Sequence, residues 1–473
     1  MTDWRDPPRP YAIAHRGASA WAADNTLRAF EVASDLGAEF WEIDIRTAAD
    51  GTMVVYHDPV TPSGKPVDRI TASELLAECD APSLDAVIAL AKRRGAGIYA
   101  DIKDADPVAI GHALKSAGIE RAILGSFNPA AAAALRAAGV DYPNSVLVPD
   151  GVDPFVFAAG ADVIHLCWEP MDRPLDRLTP DFMARASAAG QRIVLWSEQD
   201  PGRMQDLRGL PILGICSNLP ELVQPFRAPK VWPVRTVAHR GANTVAPENT
   251  LPAATCAFAA GVDWVELDVR TAADGALVVI HDDEVARTTD GAGLVAEMTL
   301  PELRALDAGQ WFDAHFTGTR LPALTEMLAL ARQWDRGLYI EIKSADAVAV
   351  LAEVQAAGMV AHCFFWGEDY AGLRRIRAAD PAARIMTRRM DFDRLSDCFD
   401  GLAPAIIEYD STDDWSDMAA ARGHGAAIMI CYMGRDPGVM DRVIAARPDI
   451  VNIDDLALFR RRMEAAGLDT HGQ

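Results

Sequence analysis

The stretch Phe40-Trp41-Glu42-Ile43-Asp44-Ile45-Arg46-Thr47-Ala48-Ala49-Asp50-Gly51 returns later in the chain as Trp264-Val265-Glu266-Leu267-Asp268-Val269-Arg270-Thr271-Ala272-Ala273-Asp274-Gly275. Each copy reads as a strand that carries a Glu and an Asp two residues apart, hence on one face. Each ends in Asp-Gly, a strong hairpin-turn dipeptide. Working outward, Ala14-His15-Arg16-Gly17 and Ala238-His239-Arg240-Gly241 precede the two copies, and His57-Asp58 and His281-Asp282 follow them. His15, Glu42 and His57 recur as His239, Glu266 and His281, all displaced by 224 positions. One shared core residue can survive duplication for packing alone. Two His, two carboxylates and an Arg surviving together suggest a site.

A chain of 473 residues exceeds one ordinary hydrophobic core and divides into two domains of roughly 230 residues. The proline-bearing stretch from Gln224 to Pro233 marks the boundary, giving domains 1–226 and 227–473. Each half alternates apolar runs with Ala/Leu-rich helical stretches. Eight candidate strands run from Ala12–His15 to Leu213–Ser217 in the first half, and eight from Val237–His239 to Ile450–Ile453 in the second. That count and size predict an α/β fold of two tandem (β/α)8 barrels. The first helix is expected over Thr26–Leu36, with Asn25 as N-cap and Gly37 just past its end; Asn249 and Gly261 take those roles in the second copy. Met53–His57 is expected to fold back about Asp50-Gly51 with paired positions summing to 101, which sets Asp44 opposite His57. The same reading about Asp274-Gly275 sets Asp268 opposite His281.

Lys and Arg number 45 against 68 Asp and Glu, a formal charge of −23. Such a surface repels nucleic acid and anionic membranes. It also repels a phosphate substrate unless a metal ion and a few Arg or Lys reverse the sign locally. No apolar run reaches the ~18 residues of a membrane span, and the first residues lack the basic-then-apolar pattern of a secretory signal. Seven cysteines without CxxC spacing read as reduced thiols. These features predict a cytoplasmic protein whose partner is a small molecule, with no nucleic acid and no membrane.

The unusual polar residues fall at the ends of the first three strands: His15 and Arg16, Glu42 and Asp44, Asp101 and Lys103, matched by His239 and Arg240, Glu266 and Asp268, Glu341 and Lys343. Active sites of (β/α)8 enzymes lie at that face. Carboxylates converging inside a barrel need a cation. An all-oxygen set suits Mg2+ or Ca2+ rather than Zn2+. Two His on neighbouring strands supply a general base and a general acid, and Arg and Lys suit an anionic phosphate. A lone His of this kind is more often a hydrogen-bonded structural residue. The joint pattern, given twice, argues for chemistry.

His-Arg-Gly, Glu-Asn-Thr, Glu-x-Asp, Asp-Gly, His-Asp and Glu-x-Lys, in that order, resemble the glycerophosphodiester phosphodiesterases over most of both halves. The resemblance implies a divalent cation on Glu266, Asp268 and Glu341, acid/base roles for His239 and His281, and phosphate contacts from Arg240 and Lys343. In the first copy it implies Glu42, Asp44 and Asp101 for metal, His15 and His57 for acid/base work, and Arg16 and Lys103 for phosphate. The reaction implied is hydrolysis of deacylated phospholipids to glycerol 3-phosphate and an alcohol.

The copies differ. The first has Asp24 for Glu248 and Asp101 for Glu341, and only 44 residues from His57 to Asp101 against 60 from His281 to Glu341. The extra residues belong to Asp283–Leu321, with Trp311, Phe312 and Phe316. The resemblance implies that this insertion covers the glycerol end of the substrate; the other reading is packing against the barrel. A late Trp-Thr-Val-Asn run of the family is replaced by Ile430-Cys431-Tyr432-Met433, and an Asp-Asn-Pro by Asn452-Ile453-Asp454-Asp455; the first copy has Trp196-Ser197 and Ser217-Asn218-Leu219-Pro220. These positions shape the far wall and so bear on the leaving group. The second barrel is expected to be the main catalyst, and the first more open, differently specific or inactive. Two alternatives stay open: a hydrolase of another phosphodiester, such as a sugar phosphate or lysolipid, and a first barrel that only binds ligand or acts as scaffold.

Overall fold

In the computed structural model, which describes residues 4–168 and 174–470, the chain divides into two compact units, Met1–Gln224 and Pro225–Gln473. Among the described residues the first unit holds nine strands: β1 (Tyr11–Ala14), β2 (Phe40–Thr47), β3 (Met53–Val55), β4 (Gly97–Ile102), β5 (Ala122–Ser126), β6 (Asn144–Val148), β7 (Val163–Cys167), β8 (Arg192–Trp196) and β9 (Gly214–Ser217). Eight of them are parallel and close on themselves, because β1 pairs with both β2 and β9. The ninth, β3, lies antiparallel on β2.

The second unit repeats this with β10 (Arg235–Ala238), β11 (Trp264–Thr271), β12 (Leu277–Val279), β13 (Gly337–Ser344), β14 (Cys363–Trp366), β15 (Arg384–Arg388), β16 (Ile406–Asp410), β17 (Ala427–Tyr432) and β18 (Ile450–Ile453). Each unit is a (β/α)8 barrel. Strands such as β5 and β14 bury every residue, as expected where a parallel barrel is filled inside and covered by helices. Helix starts follow local chemistry: Asp106, Asn128 and Asp200 each accept a first-turn N–H and precede a Pro at the first helical position, where a missing N–H costs nothing.

Two local expectations are corrected. The hairpin pairs Ile45 with Val55 and Val269 with Val279, one position off the expected register. Ala48 pairs with Thr52, so the loop is the three residues Ala49-Asp50-Gly51, with Gly51 left-handed at φ +81°. A three-residue turn ending in a left-handed Gly competes with the two-residue turn. Asp44 therefore faces Tyr56, and Asp268 faces Ile280. Similarly, the helices Leu27–Asp35 and Leu251–Ala259 are capped by Thr26 and Thr250, not by the Asn before them. Asn25 and Asn249 stand outside the helices at φ +57°, their amides committed to a carboxylate described below.

Register sets the site. Asp44 lies level with Asp101 across the β2–β4 ladder, and Asp268 level with Glu341 across β11–β13. The segment 283–321 builds its own small core from Val285, Val295, Leu303 and Leu321 beneath β12. No helix among the described residues is long and apolar enough to cross a membrane.

Candidate functional site

In the second unit Glu266, Asp268 and Glu341 are buried and each offers an oxygen within 4.8 Å of the others. The chain braces them with backbone and side-chain donors. The backbone N–H of Arg240 donates to Glu266 Oε2 at 2.8 Å, and the amide of Asn249 donates to Asp268 Oδ2 at 2.8 Å. Lys343 pairs with Asp268 at 3.3 Å and with Glu341 at closer range. Glu266 Oε1 remains buried with no hydrogen-bond partner. Burial, then the charges of Asp268 and Glu341, hold the Glu266 carboxyl well above the ordinary carboxylate range. Three oxygen donors, an orphaned lone pair and an excess of negative charge fit a hard divalent cation.

The backbone that aims these groups is itself unusual. Arg240 and Asn249 have positive φ, +55° and +57°, as do Arg16 and Asn25. This left-handed geometry turns the Arg N–H toward the Glu and the Asn amide toward the Asp. Gly241 follows at φ +81°, where a Cβ would lie 2.7 Å from the backbone of Ala253. Only Gly lets the loop pack that closely on the first helix.

His239 presents Nδ1 to Asp454 at 2.8 Å, with Nε2 3.9 Å from Glu266. His281 presents Nδ1 to Asp282 at 2.6 Å. Arg287 ties Asp282 to Glu248, and Glu248 in turn holds Arg240 at 2.8 Å. Its hydrogen bond from Arg287 holds the Asp282 carboxyl below its usual range. The guanidinium of Arg270, from the repeated turn segment, donates to the His281 carbonyl. The expected residues therefore converge, and sequence reasoning missed what fixes them: Asp454, Asn249, Glu248 and Arg287. The visible signals were the Glu248-Asn249-Thr250 motif and the carboxylate-bearing Asp454-Asp455 pair just past the last strand.

A cavity of about 400 Å³ opens beside the carboxylates, lined on one side by His239, Arg240, Glu266 and Glu341 and on the other by Arg388, Glu408, Cys431 and Asn452. Trp311 is 41% exposed and packs its ring on Phe312, which in turn meets the buried Phe316. None of the three lines the cavity.

The first unit assembles the same trio, Glu42, Asp44 and Asp101, again within 4.8 Å. Arg16 N–H donates to Glu42, Asn25 to Asp44, and Lys103 pairs with Asp44 and Asp101. Glu42 is held well above the ordinary carboxylate range by burial and its neighbours, whereas Lys103 and Arg16 outweigh burial and hold Asp44 below it. The surroundings differ. His15 Nδ1 meets the amide oxygen of Asn218 at 2.7 Å, and its Nε2 accepts from the Trp196 indole at 3.1 Å. His57 rests on Asp58, whose side chain is 63% exposed.

The Glycerophosphoryl diester phosphodiesterase family matches residues 15–81 and 239–400. A glycerophosphodiester phosphodiesterase of Caldanaerobacter subterraneus is 48% identical over 108 residues, 23% of this chain and 44% of that protein. One from Bacillus subtilis is 36% identical over 137 residues, 27% of this chain and 46% of that protein. The chain thus spans under half the length of these curated relatives. A crystal structure of the enzyme from Agrobacterium tumefaciens shares 36% identity, covering 48% of this chain and 99% of that one, with a TM-score of 0.46. With both halves matched in sequence and the shared motifs gathered at one face of each barrel, the chain belongs to the glycerophosphoryl diester phosphodiesterase family.

Proposed function

We propose that the second unit hydrolyses glycerophosphodiesters to sn-glycerol 3-phosphate and an alcohol, with Mg2+ or Ca2+ on Glu266, Asp268 and Glu341. The observation that carries this reading is Glu266 Oε1, a buried lone pair without a partner at the edge of a cavity shared with His239 and Arg240. A bound divalent cation would neutralise the phosphate and the charge that builds on its oxygens. Arg240 and Lys343 add fixed positive charge beside it, aimed by their ion pairs to Asp268.

His239 and His281 each spend Nδ1 on a carboxylate, which leaves Nε2 to move a proton. One takes it from the attacking oxygen, either water or the 2-hydroxyl of the glycerol, and the other gives one to the departing alkoxide; by the 2-hydroxyl route the product is a cyclic phosphate that water then opens to glycerol 3-phosphate. Asp454 and Asp282 fix the ring orientations and meet the imidazolium that forms with opposite charge. The first unit, with the same residue types at His15, His57, Arg16 and Lys103, is assigned a weaker or differently specific site. The hydrogen bond of Trp196 to His15 Nε2 supports that assignment, because it occupies the atom that proton transfer needs.

The test is glycerol 3-phosphate release from glycerophosphocholine and glycerophosphoethanolamine with Mg2+, with Ca2+ and with EDTA. Product that EDTA abolishes and added metal restores is expected. No product with either metal, or turnover indifferent to EDTA, would overturn the reading.

A further inference from the structure

The ladder registers let the two barrel interiors be compared position by position. Tyr99 corresponds to Tyr339, Ser145 to Met386, Leu147 to Arg388, His165 to Glu408, Trp196 to Cys431 and Cys216 to Asn452. In the first barrel these residues fill the interior. Tyr99 OH meets Ser145 Oγ at 2.5 Å, and His165, with both ring nitrogens unpartnered, packs edge-on to Tyr99 and Trp196.

In the second barrel all of these positions but Met386 line the cavity, and Tyr339, Arg388, Glu408 and Asn452 make that wall polar. The indole is replaced by the small Cys431. Arg388 pairs with the buried Glu408 at 2.9 Å, its guanidinium 3.7 Å from the Trp366 ring centre. Two atoms on this wall are buried without partners: the Tyr339 hydroxyl, which lost its counterpart to Met386, and Asn452 Oδ1. Tyr339 is 1% exposed and Asn452 2%. Buried polar atoms left unpaired are costly, so this wall is built to be completed by something that brings hydrogen bonds.

We infer that this wall selects the leaving alcohol, and that the alcohol carries neighbouring hydroxyl groups, as glycerol or a cyclitol does. The inference rests on the phosphodiesterase reading. A guanidinium beside a carboxylate offers a donor and an acceptor at the spacing of a vicinal diol, and Tyr339 and Asn452 supply two further contacts. An acyl chain would leave the Tyr339 hydroxyl and Asn452 Oδ1 dry and unpaired. A quaternary ammonium wants aromatic faces, but among the described residues Tyr339 is the one Phe, Tyr or Trp on the cavity wall and its ring is stacked on Phe364, 4.6 Å between centres.

The test compares kcat/KM of the full chain, loaded with the activating metal, on glycerophosphoglycerol, glycerophosphoinositol and glycerophosphocholine, for wild type, Tyr339→Phe and Cys431→Trp. The polyol diesters should be preferred, and Tyr339→Phe should lower the polyol-to-choline ratio about tenfold, the worth of one strong hydrogen bond. Cys431→Trp should abolish the preference by restoring the indole of the first barrel. Equal use of the three diesters, or variants that slow all three by one factor, would overturn the inference while leaving the phosphodiesterase reading intact. If no diester is hydrolysed, that reading fails, and NMR titration of myo-inositol and of choline against the metal-loaded protein still interrogates the wall. Inositol binding that Tyr339→Phe weakens would support the polyol site; absence of inositol binding to wild type would sink it.

Discussion

In the first barrel the ring of His15 is held between the Asn218 amide and the Trp196 indole, and the space beyond it is filled by Tyr99 and His165. In the second, His239 is backed by the carboxylate of Asp454, and a cavity opens where the indole would be. The carboxylate trios barely differ, apart from Asp101 for Glu341. Two barrels with the same metal-capable ledge thus diverge in what they put behind the imidazole and across from it. Assembling the ledge sets which ion and which phosphate chemistry a barrel can support. On the proposed reading, the opposite wall sets which diester fits and how freely a proton moves.

The largest effect expected from this contrast lies in the imidazoles. His239→Ala should cut glycerol 3-phosphate release by about 10²–10⁴, the range for loss of a general acid or base, whereas His15→Ala should cost much less. The opposite order in steady-state assays would reverse the assignment of the two barrels. A smaller effect is expected from exchanging the groups behind the rings. Asp454→Asn should slow the second barrel by about tenfold or more, in the direction known when a carboxylate orienting an imidazole becomes an amide. If turnover is untouched, the Asp454 contact is only structural.

The smallest effect concerns stability. Glu221, three residues past Asn218, is buried with its carboxyl pushed up to about 8, although the Trp21 indole donates to it. Ala457 stands three past Asp454. Between the ordinary value of 4.5 and about 8, the folded chain holds a proton that the unfolded chain releases. Stability therefore falls as pH rises through that window, by up to a few kcal/mol. Glu221→Gln should raise the melting temperature of the first unit at pH 9 and have little effect at pH 4. A gain that does not depend on pH would assign the effect to packing instead.

The eight-strand count, the strand-end placement of both trios and that of His15 and His239 were legible because each rests on short-range periodicity and on a motif stated twice. What was not legible depended on the turn and on distance. The hairpin register hinged on whether Asp-Gly closes a two- or three-residue loop, and a single dipeptide serves both. Asn25 reads as a helix cap by residue type, yet it bonds Asp44, 19 positions away, and only the closed barrel brings the two together. The wall of Arg388, Glu408 and Asn452 comes from three strands with no shared motif, so nothing local marks it.

Arg16, Asn25, Arg240 and Asn249 all hold left-handed backbone, a geometry that costs residues with a side chain on the order of 1 kcal/mol each. Glycine at any of them would relax the loop, and in doing so would strip away a guanidinium or the amide that steadies an Asp. A screen for heat resistance would thus gain little at these four positions, because the strain relieved is no larger than the bond to a buried carboxylate that leaves with the side chain.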